Sequence, residues 1–178
     1  NAIFVLVTNP CDVLATAAVK ILGLPSSRVF SSGTVLDSSR LRWLLGDRLK
    51  VSTASIHALI IGEHGDSEFP LWSQAAIGPV PLSEWKTEDG HPLGLDELNA
   101  ISAARIVEAI LTDEEAILPV SSLLTDYQGV SGLAMSVPTL VNAQGAAKTI
   151  EVSMDVYEQA AFEKSAAAIA GSLASLGL

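Results

Sequence analysis

The chain opens on Ile3-Phe4-Val5-Leu6-Val7, five apolar residues without a polar interruption. A strand wet on one side alternates apolar and polar residues, whereas an unbroken run marks a strand covered on both faces, as in the middle of a parallel sheet. Two arrangements satisfy that demand. The strand is sheltered at the edge of its own domain, or it is the last strand of a preceding sheet domain; the second is the expectation. Asn9-Pro10 then turns the chain. Leu14, Ala17, Ala18, Ile21 and Leu22 follow at i, i+3, i+4, i+7 and i+8 and predict a helix with one apolar face, stopped by Gly23 and Pro25.

A second helix is predicted from near Asp37 to Leu49, with Leu41, Leu44 and Leu45 inward. Between Ser52 and Ile61, Ile56, Ala58 and Ile60 alternate with Ser55, His57, Leu59 and Ile61, the pattern of a strand. Residues 78–97 are rich in Gly, Pro and acids and read as loop. Ala100 to Glu115 reads as a helix with Ile101, Ala104, Val107, Ile110 and Leu111 inward. From Ile117 to Val152, apolar runs broken by Asp126-Tyr127-Gln128-Gly129, by Pro138 and by Asn142-Ala143-Gln144-Gly145 predict an antiparallel meander. An alanine-rich helix capped near Ser153 then runs to Leu176. That order gives an α/β or α+β domain and, alone, no function.

Composition narrows the classes. Twenty acidic against ten basic residues leave a net charge of −10, and the isoelectric point is near 4.6. A general nucleic-acid binder or an anionic-membrane binder carries the opposite sign, so neither partner is expected, and any anionic ligand must be held by locally placed arginines. One cysteine, Cys11, cannot close an internal disulfide, which favours a reducing compartment. No apolar run reaches the roughly 18 residues that span a bilayer, and no Lys/Arg-led signal region opens the chain. A soluble, cytoplasmic protein is expected.

Chemistry is concentrated in Gly62-Glu63-His64-Gly65-Asp66-Ser67, directly after the alternating segment. Glycines around a histidine remove bulk and allow unusual backbone angles, so the imidazole can approach a ligand closely. A second cluster is Leu36-Asp37-Ser38-Ser39-Arg40-Leu41-Arg42. At about 100° per residue, Asp37 and Arg40 share a helical face while Arg42 points away from it. If the Asp37–Arg40 face meets His64, the set is a base, a carboxylate that orients it and a guanidinium fork for a substrate carboxylate; otherwise it is a surface ion pair of small energy. His57 lies too far back along the same segment to share His64's task, and with Arg42 it forms a candidate second anion site. A metal set from His64, Asp66 and Asp37 is not expected, because Cys11 is alone and no His-x-x-x-His spacing occurs. No serine sits in a Gly-x-Ser-x-Gly elbow.

These segments carry a family resemblance. Val7-Thr8-Asn9-Pro10-Cys11-Asp12-Val13-Leu14, Ser32-Gly33-Thr34 with Leu36 to Arg42, and Ile61 to Ser67 resemble the catalytic half of L-lactate dehydrogenase of bacterial type. Ala103 to Ile110, Leu118-Pro119-Val120-Ser121-Ser122 and Leu133 to Pro138 agree with it in the same order. The resemblance implies an α+β substrate-binding domain over residues 9–178, with residues 1–8 as the last strand of a missing Rossmann domain. It implies NAD-dependent interconversion of L-lactate and pyruvate. In it His64 exchanges the substrate proton, Asp37 orients the imidazole, Arg40 grips the substrate carboxylate, and Asn9 stands beside the reacting oxygen and the nicotinamide ribose. Ile101 matches the apolar residue that packs on the nicotinamide ring. Arg42 and His57 match the pair that binds fructose 1,6-bisphosphate across a two-fold interface of a homotetramer.

Two departures accompany the resemblance. The Gly-rich turn that holds a dinucleotide diphosphate is not in the sequence, so the chain as given is not expected to bind NAD or turn over alone. The family also has a helical segment ending in Lys-Gly-x-Thr before the Ala100 helix, whereas here Gly94-Leu95-Asp96-Glu97-Leu98 runs straight into Asn99, and a break in the chain is expected within 94–99. The alternatives are malate dehydrogenase, against which Glu63 before the histidine speaks, and a noncatalytic assembly or regulatory module.

Overall fold

The computed structural model describes residues 2–86 and 115–177. The predicted helix over 100–115, Ile101 with it, and the expected break within 94–99 lie outside the described residues. The strands are β1 (Phe4–Leu6), β2 (Val29–Ser31), β3 (Ile56–His57), β4 (Ile60–Ile61), β5 (Phe69–Pro70), β6 (Ala76–Ile77), β7 (Val80–Pro81), β8 (Ala116–Leu123), β9 (Ala134–Asn142) and β10 (Gly145–Thr149). The helices are α1 (Cys11–Leu22), α2 (Val35–Leu49) and α3 (Val156–Ser175). Among the described residues no helix is long and apolar enough to cross a membrane.

The main sheet runs β1-β2-β8-β9-β10, with β1 parallel to β2 and the other pairings antiparallel. The predicted meander is therefore present, although Pro138 does not break it. Pro138 sits inside β9 opposite Pro119 of β8, a rung to which neither residue can bring an N–H. One core joins α1 and α3 through Val13, Phe162, Ile169 and Leu173 to Met135 and Val137 of β9 and to Ile61. A second packs Leu41 and Leu45 of α2 on Ile56, Ala58 and Ile60.

Four expectations need correction. The opening run does form β1, but at the edge of the sheet and half-exposed, with Phe4 43% and Val7 71% accessible, so it is not covered on both faces here. The α1 helix forms where predicted, yet it turns Cys11, Asp12, Val13, Ala15 and Thr16 inward and leaves Ile21 78% exposed. Burial is concentrated in its first half, where Thr16 accepts from the Ala134 N–H of β9 and donates to the Asp12 carbonyl, and Lys20, Ile21 and Leu22 at its far end are exposed. The strand predicted from Ser52 to Ile61 keeps its alternation, with Ile56, Ala58 and Ile60 buried, but splits in two. β3 pairs with β6 and β4 with β5, because the backbone at Ile60 also bonds to α2 side chains. The last helix is capped by Asp155 rather than near Ser153: the Asp155 carboxylate accepts from the Glu158 N–H while the Glu158 carboxylate accepts from that of Asp155.

Candidate active site

The start of α2 is stitched to the strand that leads to His64. Ser38 Oγ accepts the Ile60 N–H (2.8 Å), and the hydroxyls of Ser38 and Thr34 donate to the Ile60 carbonyl (3.2 and 2.6 Å). These bonds fix the first turn of α2 beside β4, and Asp37 is carried with it. Two glycines make the close approach possible. Gly33, at φ +50°, precedes α2 where a Cβ would stand 2.5 Å from Ser136 Oγ. Gly62, at φ +99°, ends β4 where a Cβ would stand 2.6 Å from Ser165 Oγ. Both conformations favour glycine, and both positions lack room for anything larger. Gly62 exchanges two backbone hydrogen bonds with Ser136 of β9 (3.0 and 3.1 Å), so the His64 loop springs from the main sheet.

The predicted trio converges. His64 Nδ1 lies 3.0 Å from Asp37 Oδ2, and Arg40 Nη1 lies 3.6 Å from Asp37 Oδ1. Asp37 is buried at 5% exposure. The Nδ1–Oδ2 distance is that of a hydrogen bond, although the N–H is not aligned on the carboxylate. Glu68 Oε2 approaches the same ring nitrogen to 3.8 Å. Contact with Asp37 first, and with Glu68 second, outweighs burial and pushes the His64 pKa from 6.5 up to about 10. With Nδ1 turned to the carboxylates, Nε2 is the nitrogen left to meet a ligand. Arg40 Nε is buried and unpartnered, a donor on the guanidinium whose Nη1 approaches Asp37.

Asn9 reaches the same place from the end of β1. Val7, Asn9, Gly33, Val35, Leu36 and His64 line one cleft of about 330 Å³. Thr8 and Ser32 line it too, so its walls mix the apolar Val7, Val35 and Leu36 with two hydroxyls, an amide and an imidazole, which suits a weakly polar ring beside a small polar substrate. Arg42 and His57 are elsewhere: Arg42, half-buried, donates to Ser39 Oγ (3.0 Å), and His57 is exposed on β3 beside Ala76. For a cation, Asp37, His64 and Glu68 bring one ligand atom each within 4.8 Å of one another, without Asp66. An ion there would take the place of the proton on His64 Nδ1.

Two site residues escaped the reading of the sequence. Glu68 is one more acid in an acidic chain, and only its place four residues after His64 hints at contact. Asp12, 3% exposed, accepts the His64 backbone N–H on Oδ2 at 2.7 Å. In the sequence it looks like an ordinary acid in the first turn of a helix.

A family model described as the lactate/malate dehydrogenase alpha/beta C-terminal domain matches residues 34–91 and 99–175. The L-lactate dehydrogenase of Bifidobacterium animalis subsp. lactis is 42% identical over 202 positions, covering 99% of this chain and 63% of the relative. That of Oceanobacillus iheyensis is 41% identical, with 96% and 60% covered. Among solved structures, the minor L-lactate dehydrogenase of Enterococcus mundtii in its ligands-bound form has a TM-score of 0.89 at 33% identity, covering 98% of this chain and 63% of that one. Its ligands-unbound form has a TM-score of 0.85 at 31% identity. The chain thus spans about three fifths of the length of these relatives. Its fold, its ordered motifs and the match over most of its length give one conclusion: the chain belongs to the lactate/malate dehydrogenase family, as its α/β C-terminal domain.

Proposed function

We propose that this chain is the catalytic part of an NAD-dependent L-lactate dehydrogenase. The observation that carries the reading is the meeting of His64, buried Asp37 and Arg40 beside the cleft that Asn9 lines. Arg40, whose side chain is partly exposed, binds the substrate carboxylate through its guanidinium, a planar fork on a planar anion. His64 Nε2 takes the hydroxyl proton of lactate as the C2–O bond becomes a carbonyl, or returns it to the oxygen of pyruvate. Asp37 holds the ring through Nδ1 and stabilises its charged form. Asn9 lies where an amide would bond the reacting oxygen. NAD, when bound, takes or supplies the hydride at C2. Residues Val7, Asn9 and Val35 suit its nicotinamide end, and Ile101 is proposed to pack on that ring.

Residues 1–8 are read as the last strand of a dinucleotide-binding domain and 9–178 as the substrate-binding domain; the half-exposed, parallel β1 supports this. A family segment is read as missing within 94–99. Support comes from a family match that comes in two blocks and from an alignment of 202 positions against a chain of 178 residues. The full-length enzyme is read as a cytoplasmic homotetramer. Its Arg42 and His57 hold a phosphate of fructose 1,6-bisphosphate with their symmetry mates, two arginines and two histidines that repel one another until the anion arrives.

Assays of the full-length enzyme with NADH test the reading. Pyruvate is expected to be reduced in strong preference to oxaloacetate, and Arg40→Lys to weaken pyruvate binding by roughly 1.5–3 kcal/mol. Preference for oxaloacetate would make it a malate dehydrogenase, and turnover of neither would leave an assembly module. The sugar bisphosphate is expected to activate the wild type at subsaturating pyruvate and to lose that effect in an Arg42→Gln His57→Ala variant.

A further inference from the structure

We propose that Asp12 is a positioning residue that clamps the main chain of His64 to the turn carrying Asn9. The proposal rests on the reading of His64 as the proton-exchanging group and adds the means by which that group is held in place.

The His64 loop is tied down at three points. Gly62 is bridged to Ser136 of β9 before the histidine, and the Ser67 carbonyl accepts from Ser165 Oγ of α3 after it. At the histidine itself the backbone N–H goes to Asp12 Oδ2 at 2.7 Å. Without that bond, the main chain from Glu63 to Asp66 would keep only the local turn in which the Gly65 carbonyl accepts the Glu68 N–H (3.3 Å), while catalysis needs the imidazole in register with both Asp37 and the cleft. The other end of the clamp is rigid too. Asp12 sits in the first turn of α1, three residues after Asn9, with the Pro10 carbonyl accepting from Leu14 N and the Asp12 carbonyl accepting from Thr16 Oγ1. Thr16 Oγ1 in turn accepts the Ala134 N–H of β9 at 2.7 Å. One carboxylate therefore joins the two residues that reach the reacting atoms from different parts of the chain.

Burial argues that this is more than helix capping. An acid that serves only the positive end of a helix does so at the surface. Asp12 is 3% exposed, makes no salt bridge within 4.0 Å among the described residues, and keeps Oδ1 buried and unpartnered near the Ser121 hydroxyl. Burying a carboxylate in that way is costly, and the hydrogen bond to His64 is the specific contact obtained for it.

The test uses the full-length enzyme. In Asp12→Ala, kcat for pyruvate reduction is expected to fall on the order of 10²-fold, the effect of a displacement near 1 Å, while KM for pyruvate, set by Arg40, barely moves. Asp12→Asn keeps an oxygen for the N–H and is expected to restore kcat to near the wild-type value. Hydrogen exchange gives a second readout: the His64 amide should be protected in wild type and Asp12→Asn and exposed in Asp12→Ala, with Gly62 and Ser136 still protected. An Asp12→Ala enzyme with unchanged kcat, or an Asp12→Asn enzyme as slow as a folded Asp12→Ala, would overturn the clamp. Should Asp12→Ala not fold, Asp12→Asn decides alone: near wild-type kcat with a protected His64 amide supports the clamp, and a slow but folded enzyme rejects it. If wild type reduces no pyruvate, the dehydrogenase reading fails while the exchange pattern still judges the clamp, and an unprotected His64 amide in wild type rejects it.

Discussion

The helices α1 and α2 flank the same histidine, but the balance of what holds them differs. α2 buries an apolar stripe, Leu41 and Leu45, on Ile56, Ala58 and Ile60, and its first turn brings Asp37 to His64. α1 buries a polar pair, Asp12 and Thr16, among Cys11, Val13 and Ala15, and its last-turn apolar residues Ile21 and Leu22 face outward. A helix can thus be fixed by area removed from water or by a few hydrogen bonds in a dry place. The first kind is visible as a hydrophobic period; the second is not.

Substitutions separate the two modes. The largest effect is expected on the chemistry that α2 delivers: in the full-length enzyme Asp37→Asn should lower kcat on the order of 10²- to 10⁴-fold, since the amide no longer fixes the imidazole or its charge. In packing, Leu41→Ala should cost about 2–5 kcal/mol, because a buried leucine leaves both transfer energy and a cavity. On the other helix, Thr16→Val strands the buried Ala134 N–H and should cost about 1–3 kcal/mol with little change in apolar burial. Denaturant unfolding of the two variants would show the contrast, and a Thr16→Val loss below experimental error would remove it.

The pH dependence probes where the helices meet. His64 is raised above its unfolded value, so its contribution to stability is complete below pH 6.5 and is lost as pH rises toward about 10. If His64 exchanges the substrate proton as proposed, pyruvate reduction uses the imidazolium and should hold through neutral pH and fall on the alkaline side, while lactate oxidation uses the neutral ring and should rise with pH. Asp37 of α2 and Glu68 of the loop face this group, with Arg40 behind Asp37 and Asp12 of α1 on its main chain. Glu68→Gln should move the alkaline limb to lower pH by less than Asp37→Asn does, as the ordering of their effects on the imidazole requires. The smallest effect belongs to the outer face of α1. Ile21→Gln should change stability by no more than about 0.5 kcal/mol, and a larger loss in the full-length protein would show that this face is covered there.

Much of the site was legible because short-range geometry carries it. Asp37 and Arg40 share a face by helical phase alone, and His64 among glycines announces a close approach. The meander was legible from its turn residues, and α2 from its leucines. The inward face of α1 was not, since a hydrophobic period cannot register a helix that inserts its polar turn into a protein interior. The division of Ser52–Ile61 into β3 and β4 was equally hidden: side-chain alternation persists through it, and the interruption lies in where the backbone of Ile60 sends its hydrogen bonds.

The sequence by itself determined which side chains can do chemistry, which residues permit tight backbone approach, and where the helices α1, α2 and α3 begin and end to within a turn. These follow from local sterics, helical phase and hydrophobic period, all properties of a few neighbouring residues. Only the tertiary structure decided that Asp37 meets His64 at 3.0 Å, that Glu68 shares the same ring nitrogen, and that Asp12, 52 residues before His64, takes its backbone N–H. Contacts between distant segments depend on how sheet, helices and loop pack together. A hydrogen bond that exists only in the packed interior leaves no periodic trace in the chain that makes it.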